Sequence, residues 1–257
     1  MTPEREDAGE SPAWWVGAFD RSYAERYAHR DDEEARRHLR FFLGEAGLHA
    51  GQRALDLCCG TGRHSALLEA RGLQVISLDY SADLLEAYGR RMGEHGLQKR
   101  GVRGNMLALP FVNSAFECVI QMFTAFGYFE EDALNQQALH EVARVLRNDG
   151  RYVLDLMNRD RTLRQLVPES SFRSGSDQIL ERRHFDAQRG RINKSITIQH
   201  QDGRQSQRQE SVRVFSEDEI RSWLGHAGFT HIRAYGDFEG ASFAPASSER
   251  MILVSRS

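Results

Sequence analysis

The chain has 257 residues, of which 40% are hydrophobic and 28% are charged, and its formal net charge is -3. This composition is typical of a globular protein that has one sizeable core, or one core that carries an insertion. The small net charge gives no global reason to expect nucleic acid or an anionic membrane surface as a partner.

The N-terminus and the cysteines favour a cytoplasmic protein. Residues 1–12 are acidic without an apolar core, unlike a signal peptide, and no apolar run of the chain is long enough to span a bilayer. Of the three cysteines, Cys58 and Cys59 are adjacent and Cys118 is left over, which argues against a disulfide framework. We therefore expect small, buried cysteines in a reducing compartment, and no membrane partner.

An aromatic segment from Trp14 to His29 precedes the first predicted strand. Phe19, Tyr23 and Tyr27 recur every four residues, which places them on one face of a helix. The simplest interpretation is a helix that docks on the core. Residues 31–48 predict a second, amphipathic helix.

The stretch 53–81 predicts a strand–helix–strand unit. A buried strand that contains Asp56 leads into the turn from Gly60 to Gly62, where the missing side chains let backbone N–H groups approach a ligand. A helical segment and a second buried strand, which ends in Asp79, follow. This arrangement is typical of a βαβ nucleotide-binding unit.

The charges around the turn indicate which nucleotide binds. Ser65 stands where the dinucleotide pattern has its third glycine, and Asp56 would repel a pyrophosphate in a site of low dielectric. S-adenosylmethionine instead carries an ammonium and a sulfonium beside its adenosine. The spacing from Gly62 to Asp79 is close to the roughly 20 residues expected for an acid that bonds the ribose hydroxyls. The alternative is a generic α/β turn with two solvated acids.

These residues resemble the class I S-adenosylmethionine-dependent methyltransferases, whose first motif is an acid followed by a glycine-rich turn. The resemblance implies that the tyrosines of SYAERY form a lid over the methionine end of the cofactor. It also places Asn105, where the family usually has Asp, in the adenine-binding turn, although Asn is also a common turn residue. The residues that the resemblance assigns to the cofactor are Tyr23, Tyr27, Asp56, Cys58, Gly60, Gly62, Asp79, Tyr80, Asn105, Met106, Gln121 and Phe123.

The segment TAFGYF at 124–129 is similar to the family's substrate-facing wall, and it suits a small, partly apolar substrate. Packing against the next helix explains the same residues equally well. The substrate-binding candidates are Thr124, Tyr128 and Asn158. No general base is assigned, and no histidine has the spacing of a metal ligand, so we expect no metal.

The whole pattern predicts an α/β fold with a doubly wound, mostly parallel seven-stranded sheet and an inserted antiparallel β subdomain. Alternating residues between Ser170 and Val214 predict three antiparallel strands in the insertion. The predicted units are an N-terminal helical lid at 1–50, a cofactor-binding domain at 51–165 and 215–257, and the insertion at 166–214. In related enzymes such an insertion covers the active site or makes an oligomer contact.

The predicted function is S-adenosylmethionine-dependent methyl transfer to an N or O atom of a small molecule. Two alternatives remain: a non-catalytic protein that binds this cofactor, and an NAD-dependent oxidoreductase, which Ser65 and Asp56 disfavour. An excess of basic residues between Arg182 and Arg213 is the only hint of an anionic or RNA substrate. Few aromatic residues interleave with them for base stacking, so we interpret this stretch as a solvated face of a sheet.

Overall fold

The computed structural model describes residues 13–26 and 32–257 of the chain. Its strands, in chain order, are β1 (Arg53–Leu57), β2 (Gln74–Asp79), β3 (Gly101–Arg103), β4 (Phe116–Gln121), β5 (Leu146–Met157), β6 (Glu169–Ser174), β7 (Asp177–Asp186), β8 (Arg191–Gln199), β9 (Gln205–Arg213), β10 (Thr230–Tyr235) and β11 (Arg250–Arg256). Its helices are α1 (Trp15–Ala18), α2 (Arg21–Arg26), α3 (Asp32–Gly44), α4 (Arg63–Glu69), α5 (Ala82–Glu94), α6 (Asp132–Val145), α7 (Arg159–Arg164) and α8 (Glu217–His226).

Seven strands form the main sheet in the order β10-β11-β5-β4-β1-β2-β3. Strand β11 runs antiparallel to both of its neighbours, and the other paired strands of this sheet are parallel. Helices α6 and α8 contribute buried residues to the core on one face, and α3 and α4 contribute to the core on the other. The predicted doubly wound, mostly parallel seven-stranded sheet is therefore confirmed.

The glycine turn after β1 has the geometry that the sequence predicts. Gly62 has a φ of 78°, a left-handed conformation that glycine adopts without strain. A Cβ at this position would lie 2.4 Å from Cδ2 of Tyr88. Both the backbone angle and the packing against α5 therefore require glycine here.

The insertion is a separate antiparallel sheet in the order β6-β7-β8-β9. The prediction of three strands was wrong, because β6 has no alternation of apolar residues. The aromatic side chain of this strand, Phe172, is 43% exposed. The small core of the second sheet consists of Ile179, Ile196 and Ile198, which were among the residues that revealed the other strands.

The N-terminal aromatic segment is not one continuous helix, as the spacing of its aromatic residues suggested. It breaks between α1 and α2, because the carboxylate of Asp20 accepts hydrogen bonds from the Tyr23 N–H and the Ser22 hydroxyl, at 3.0 and 2.8 Å. Phe19 lies in this break, and Tyr27 lies outside the described residues. Helix α7 was also not predicted, and Asn158 caps its first turn.

All three cysteines are free thiols. Within 13–26 and 32–257, no helix combines the length and the apolar content that crossing a bilayer requires. In the same part of the chain, no three His, Cys, Asp or Glu side chains are grouped so that they could hold a metal ion.

Candidate cofactor and acceptor site

A narrow cavity of about 80 Å³ lies at the carboxyl ends of β1 and β2. Six of its lining residues were predicted to bind the cofactor: Tyr23, Cys58, Asp79, Tyr80, Asn105 and Met106. A seventh, Tyr128, was predicted to bind substrate. The lining is completed by residues that were not among the cofactor or substrate candidates: Trp15, Phe19, Leu78, Leu84, Gly104 and Phe129.

Asp79 supplies the carboxylate of this cavity. Its Oδ2 accepts the Gly60 N–H at 2.8 Å and its Oδ1 accepts the Ser81 N–H at 2.9 Å. Burial raises the pKa of Asp79, while these backbone hydrogen bonds act in the opposite direction. The carboxylate therefore fixes the glycine turn and the start of α5 while it lines the cavity.

Asp56 lies beneath the turn and does not line the cavity. Its carboxylate is 2% exposed and accepts the Ser65 hydroxyl at 2.5 Å. Ser65 in turn accepts the Ser77 hydroxyl at 2.8 Å, which ties β1, α4 and β2 together. Burial raises the pKa of Asp56 to about 6. Direct contact of Asp56 with the cofactor stays a prediction.

Asn105 both shapes the turn and faces the cavity. Its Oδ1 accepts the Leu107 N–H at 3.0 Å, as a turn residue would. The two interpretations of Asn105 are thus compatible.

Four further candidates lie outside the lining: Gly60, Gly62, Gln121 and Phe123. Gln121 is buried and already bonded, since its Oε1 accepts the Tyr152 hydroxyl and its Nε2 donates to the Ala125 carbonyl, both at 2.5 Å. The Phe123 N–H donates to Asp155 at 2.8 Å. Their roles at the cofactor stay predictions.

The N-terminal segment covers the cavity with aromatic rings. Trp15 packs edge-on against Tyr80 and Phe129, with ring centroids 4.9 and 5.6 Å apart. Phe19 stacks on Tyr128 at 5.5 Å, and its carbonyl accepts the Ser81 hydroxyl at 2.5 Å. These contacts fasten α1 to the main domain.

The lining suits a nucleoside that carries a sulfonium. Asp79 can accept ribose hydroxyls, Asn105 can bond an adenine edge, and the faces of Trp15, Phe19 and Tyr128 can attract a cation. Ligands of this size need roughly 300 Å³ or more. The aromatic cover must therefore move outward before such a ligand can enter.

A second, larger concavity of about 1220 Å³ lies between α1 and the insertion sheet. We call it the acceptor groove; its main walls are residues 13–18 and strands β7, β8 and β9. Trp15 and Tyr128 line both the cavity and this groove. The two sites therefore meet at these two side chains.

Arg191 holds the loop that carries Tyr128. Its guanidinium donates to the carbonyls of Phe129, Tyr128 and Gly127 at 2.8, 3.1 and 3.2 Å, and to the Ser211 carbonyl and hydroxyl at 2.8 Å each. Arg191 is only 3% exposed, which shows that the basic stretch is not a wholly solvated face. Gly127 has a φ of 85°, and a Cβ there would lie 2.7 Å from the Arg213 carbonyl oxygen.

The groove also contains a partly buried charge cluster. Arg183, Lys194 and Glu210 line the groove, whereas Glu181 does not. Lys194 Nζ lies 2.6 Å from Glu210 and 3.8 Å from Glu181, and Arg183 pairs with the same Glu181. The pKa of Tyr128 lies well above its usual range, mainly because the side chain is buried. The charges of neighbours that include Tyr23 and Glu210 raise it further. Tyr128 is therefore a neutral phenol close to a carboxylate of the insertion.

The other two substrate candidates line neither concavity. The Thr124 hydroxyl accepts from Arg250 at 2.9 Å. The Asn158 amide donates to the carbonyls of Pro245 and Ser248 at 3.1 and 2.8 Å, in addition to capping α7. Their contact with substrate stays a prediction.

Known proteins resemble this chain at several levels. The family described as "Methyltransferase domain" matches residues 54–150. A demethylmenaquinone methyltransferase of Thermus thermophilus is 37% identical over 107 residues, which are 41% of this chain and 47% of that protein. The chain thus spans about half the length of that relative. A glycine/sarcosine N-methyltransferase of Aphanothece halophytica is 25% identical over 244 residues, 91% of this chain and 90% of that protein.

A solved S-adenosylmethionine-dependent methyltransferase from Clostridium acetobutylicum has the same fold. It superimposes with a TM-score of 0.76 at 15% identity, over 91% of this chain and 96% of that one. The matched family covers the strand, turn and acid that surround the cavity, and the fold match covers 91% of the chain. Residues 54–150 thus match a methyltransferase domain family, and the fold of the chain is the Rossmann-like fold of a solved S-adenosylmethionine-dependent methyltransferase.

Proposed function

We propose that the protein transfers a methyl group from S-adenosylmethionine to the amino group of a small molecule bound in the acceptor groove. The observation that carries this proposal is that Trp15 and Tyr128 line both concavities. A donor in the cavity and an acceptor in the groove would meet at this shared wall.

The extent of the sequence matches favours nitrogen as the acceptor atom. The match to the quinone-pathway enzyme covers 107 residues, whereas the match to the N-methyltransferase covers 244 and so extends over most of the insertion. Strands β7, β8 and β9 of the insertion form one wall of the acceptor groove. The part of the chain that would contact the acceptor is therefore shared with an N-methyltransferase.

One acid of the groove, Glu210, suits the same choice. An amine becomes positively charged as it takes up a methyl group, and preorganised negative groups stabilise a charge that develops in the transition state. The carboxylate of Glu210 lines the groove, where it lies 2.6 Å from Lys194 Nζ. The neutral phenol of Tyr128 can accept a hydrogen bond from the amine.

S-adenosylmethionine supplies an already activated methyl group, so transfer depends mainly on in-line placement of the nucleophile. Transfer would form the nitrogen–carbon bond as the carbon–sulfur bond breaks. S-adenosylhomocysteine would leave, and the resulting ammonium would release a proton to water. Asp79 and Asn105 hold the nucleoside, and Tyr128 and Glu210 orient the amine. The cover formed by Trp15 and its neighbours keeps water out of the cavity.

The test uses S-adenosylmethionine with a deuterated methyl group and a panel of acceptors: glycine, sarcosine, an amino sugar and a dihydroxynaphthalene. Mass spectrometry detects the product and NMR locates the label. We expect label on nitrogen, and at least a tenfold lower kcat/KM for Glu210→Gln. The matched control is Glu169→Gln, an exposed residue at the rim of the groove.

Label on carbon or oxygen of the dihydroxynaphthalene, with none on an amine, would contradict the proposed acceptor. Equal activity of Glu210→Gln and Glu169→Gln would contradict the role of the carboxylate.

A further inference from the structure

A third concavity, of about 230 Å³, lies away from the cofactor cavity, beside Arg151 of β5 and Arg256 of β11. We call it the arginine cavity; it is lined by Glu45, Arg151, His231, Ile232, Arg233, Val254, Ser255 and Arg256. The cofactor cavity lies at the other end of the strands. At about 3.3 Å per residue, the path along β5 from Arg151 to Met157 is about 20 Å. The arginine cavity is thus separate from the methyl-transfer site.

Three arginines share one face of the sheet in this cavity. Arg151 on β5 lies directly opposite Arg256 on β11. Arg233 on β10 lies opposite Val254, two residues before Arg256, so its side chain leaves from the same face. Like charges directly opposite each other on neighbouring strands are destabilising. The strand register therefore places three positive charges close together, and their repulsion does not help to stabilise the fold.

Few acidic side chains neutralise the positive charge of these three arginines. Glu45 is the only acid in the lining, and its Oε2 accepts the Tyr235 hydroxyl at 2.7 Å. Among the residues that the structure describes, none of the three guanidinium groups forms an ion pair within 4 Å. Guanidinium groups bind oxyanions with paired hydrogen bonds, which makes arginine the preferred residue for phosphate recognition.

The backbone at this cavity is unusual as well. The pairing of β10 with β11 shifts between Thr230 and Arg233, and His231 within this shift has a φ of 48°. Left-handed backbone is uncommon for residues other than glycine, and such strain concentrates at ligand sites. The irregularity brings the His231 side chain into the lining beside Arg233. A cavity of this size holds an oxyanion and several waters, since a water occupies about 30 Å³.

We propose that the arginine cavity binds the phosphate group of a small soluble molecule between Arg151, Arg233 and Arg256. The bound oxyanion offsets the repulsion between Arg151 and Arg256 and joins β5, β10 and β11. This site is independent of the acceptor and of the methyl donor.

The test is isothermal titration of the full chain with pyrophosphate at constant ionic strength, together with thermal unfolding. We expect saturable binding and a higher melting temperature with pyrophosphate. Arg256→Gln should weaken binding at least tenfold, and Arg233→Gln should do the same. Arg204→Gln, a 76% exposed arginine in the turn between β8 and β9, is the matched control and should bind normally.

Stability without ligand separates a binding role from a structural one. Removing one of two opposed like charges should raise the melting temperature of Arg256→Gln by about 2 °C in the absence of pyrophosphate. If Arg256 instead stabilised the fold, the melting temperature would fall. The affinity for S-adenosylmethionine should be unchanged in this variant, so the outcome does not depend on the proposed methyl transfer.

Three results would overturn the proposal. They are the absence of saturable pyrophosphate binding, equal weakening in Arg204→Gln, and, in a parallel sedimentation assay, binding only to vesicles that contain phosphatidylglycerol. The last result would assign the charge to a membrane surface.

Discussion

Arg208 of the insertion sheet holds the carboxylate of Asp20 in the N-terminal segment with two hydrogen bonds, of 3.0 and 2.6 Å. Burial raises the pKa of Asp20, but the bonds from Arg208, Ser22 and Tyr23 outweigh it and bring the pKa down to about 2. The pair joins the aromatic cover of the cofactor cavity to the wall of the acceptor groove. The pair therefore ties the aromatic cover to the insertion.

The first prediction concerns exchange of the cofactor. Arg208→Met should speed the release of S-adenosylmethionine by up to about fivefold, because a partly exposed ion pair contributes about 0.2–1 kcal/mol. Stopped-flow fluorescence of the tryptophans in the cover would measure it. Arg182→Met is the control, since its pair with Glu169 is on the same sheet but does not touch the cover. Identical release rates in both variants would show that the pair does not fasten the cover.

The second prediction concerns Arg191, which positions the loop that carries Tyr128. Arg191→Lys cannot reproduce five hydrogen bonds, and an unpaired buried carbonyl costs about 1–3 kcal/mol. We expect kcat/KM for the acceptor to fall at least tenfold, while the Kd for S-adenosylmethionine stays within about twofold. Arg182→Lys serves as the control. A parallel loss of cofactor affinity would mean that Arg191 only supports the fold.

The third prediction concerns pH. The pKa of Asp56 is raised from 3.8 to about 6 in the folded protein. The folded state then binds more protons than the unfolded state between these values, so this group's contribution to stability falls as the pH rises from about 4 to 6.

The Asn side chain of the Asp56→Asn variant does not titrate, so this loss of stability with rising pH disappears. Its side-chain oxygen can still accept a hydrogen bond from the Ser65 hydroxyl. We subtract the free energy of unfolding of the unmodified protein from that of the variant. This difference should be larger at pH 7 than at pH 4.5, by on the order of 1–3 kcal/mol. Urea unfolding at the two pH values measures this difference. Asp218→Asn, an exposed carboxyl, should show almost no such change. A difference that is the same at both pH values would refute the assigned cause.

The main sheet and half of the cavity lining could be predicted because their signals are local. Buried strands, the glycine turn and the acid Asp79 are adjacent in the chain, and parallel strands bring their carboxyl ends to one edge. Asn105 and Met106 follow the third strand and reach the same edge.

Other features depend on contacts between distant parts of the chain. The helical period continues through Phe19 and Asp20, but capping of α2 by Asp20 and its pairing with Arg208 break the helix there. Arg191 lies in a polar, basic stretch, and nothing in that stretch indicates that the 127–129 carbonyls bury it. Strand β6 is stabilised by pairing with β7 rather than by an apolar pattern of its own.

The most direct test of the account is a calorimetric titration of the full chain with S-adenosylmethionine, and in parallel with NAD. We expect saturable binding of S-adenosylmethionine alone, weakened at least tenfold in Asp79→Asn and unchanged in Asp218→Asn. Saturable binding of NAD instead, or equal affinity for S-adenosylmethionine in Asp79→Asn, would contradict the assignment of the cavity.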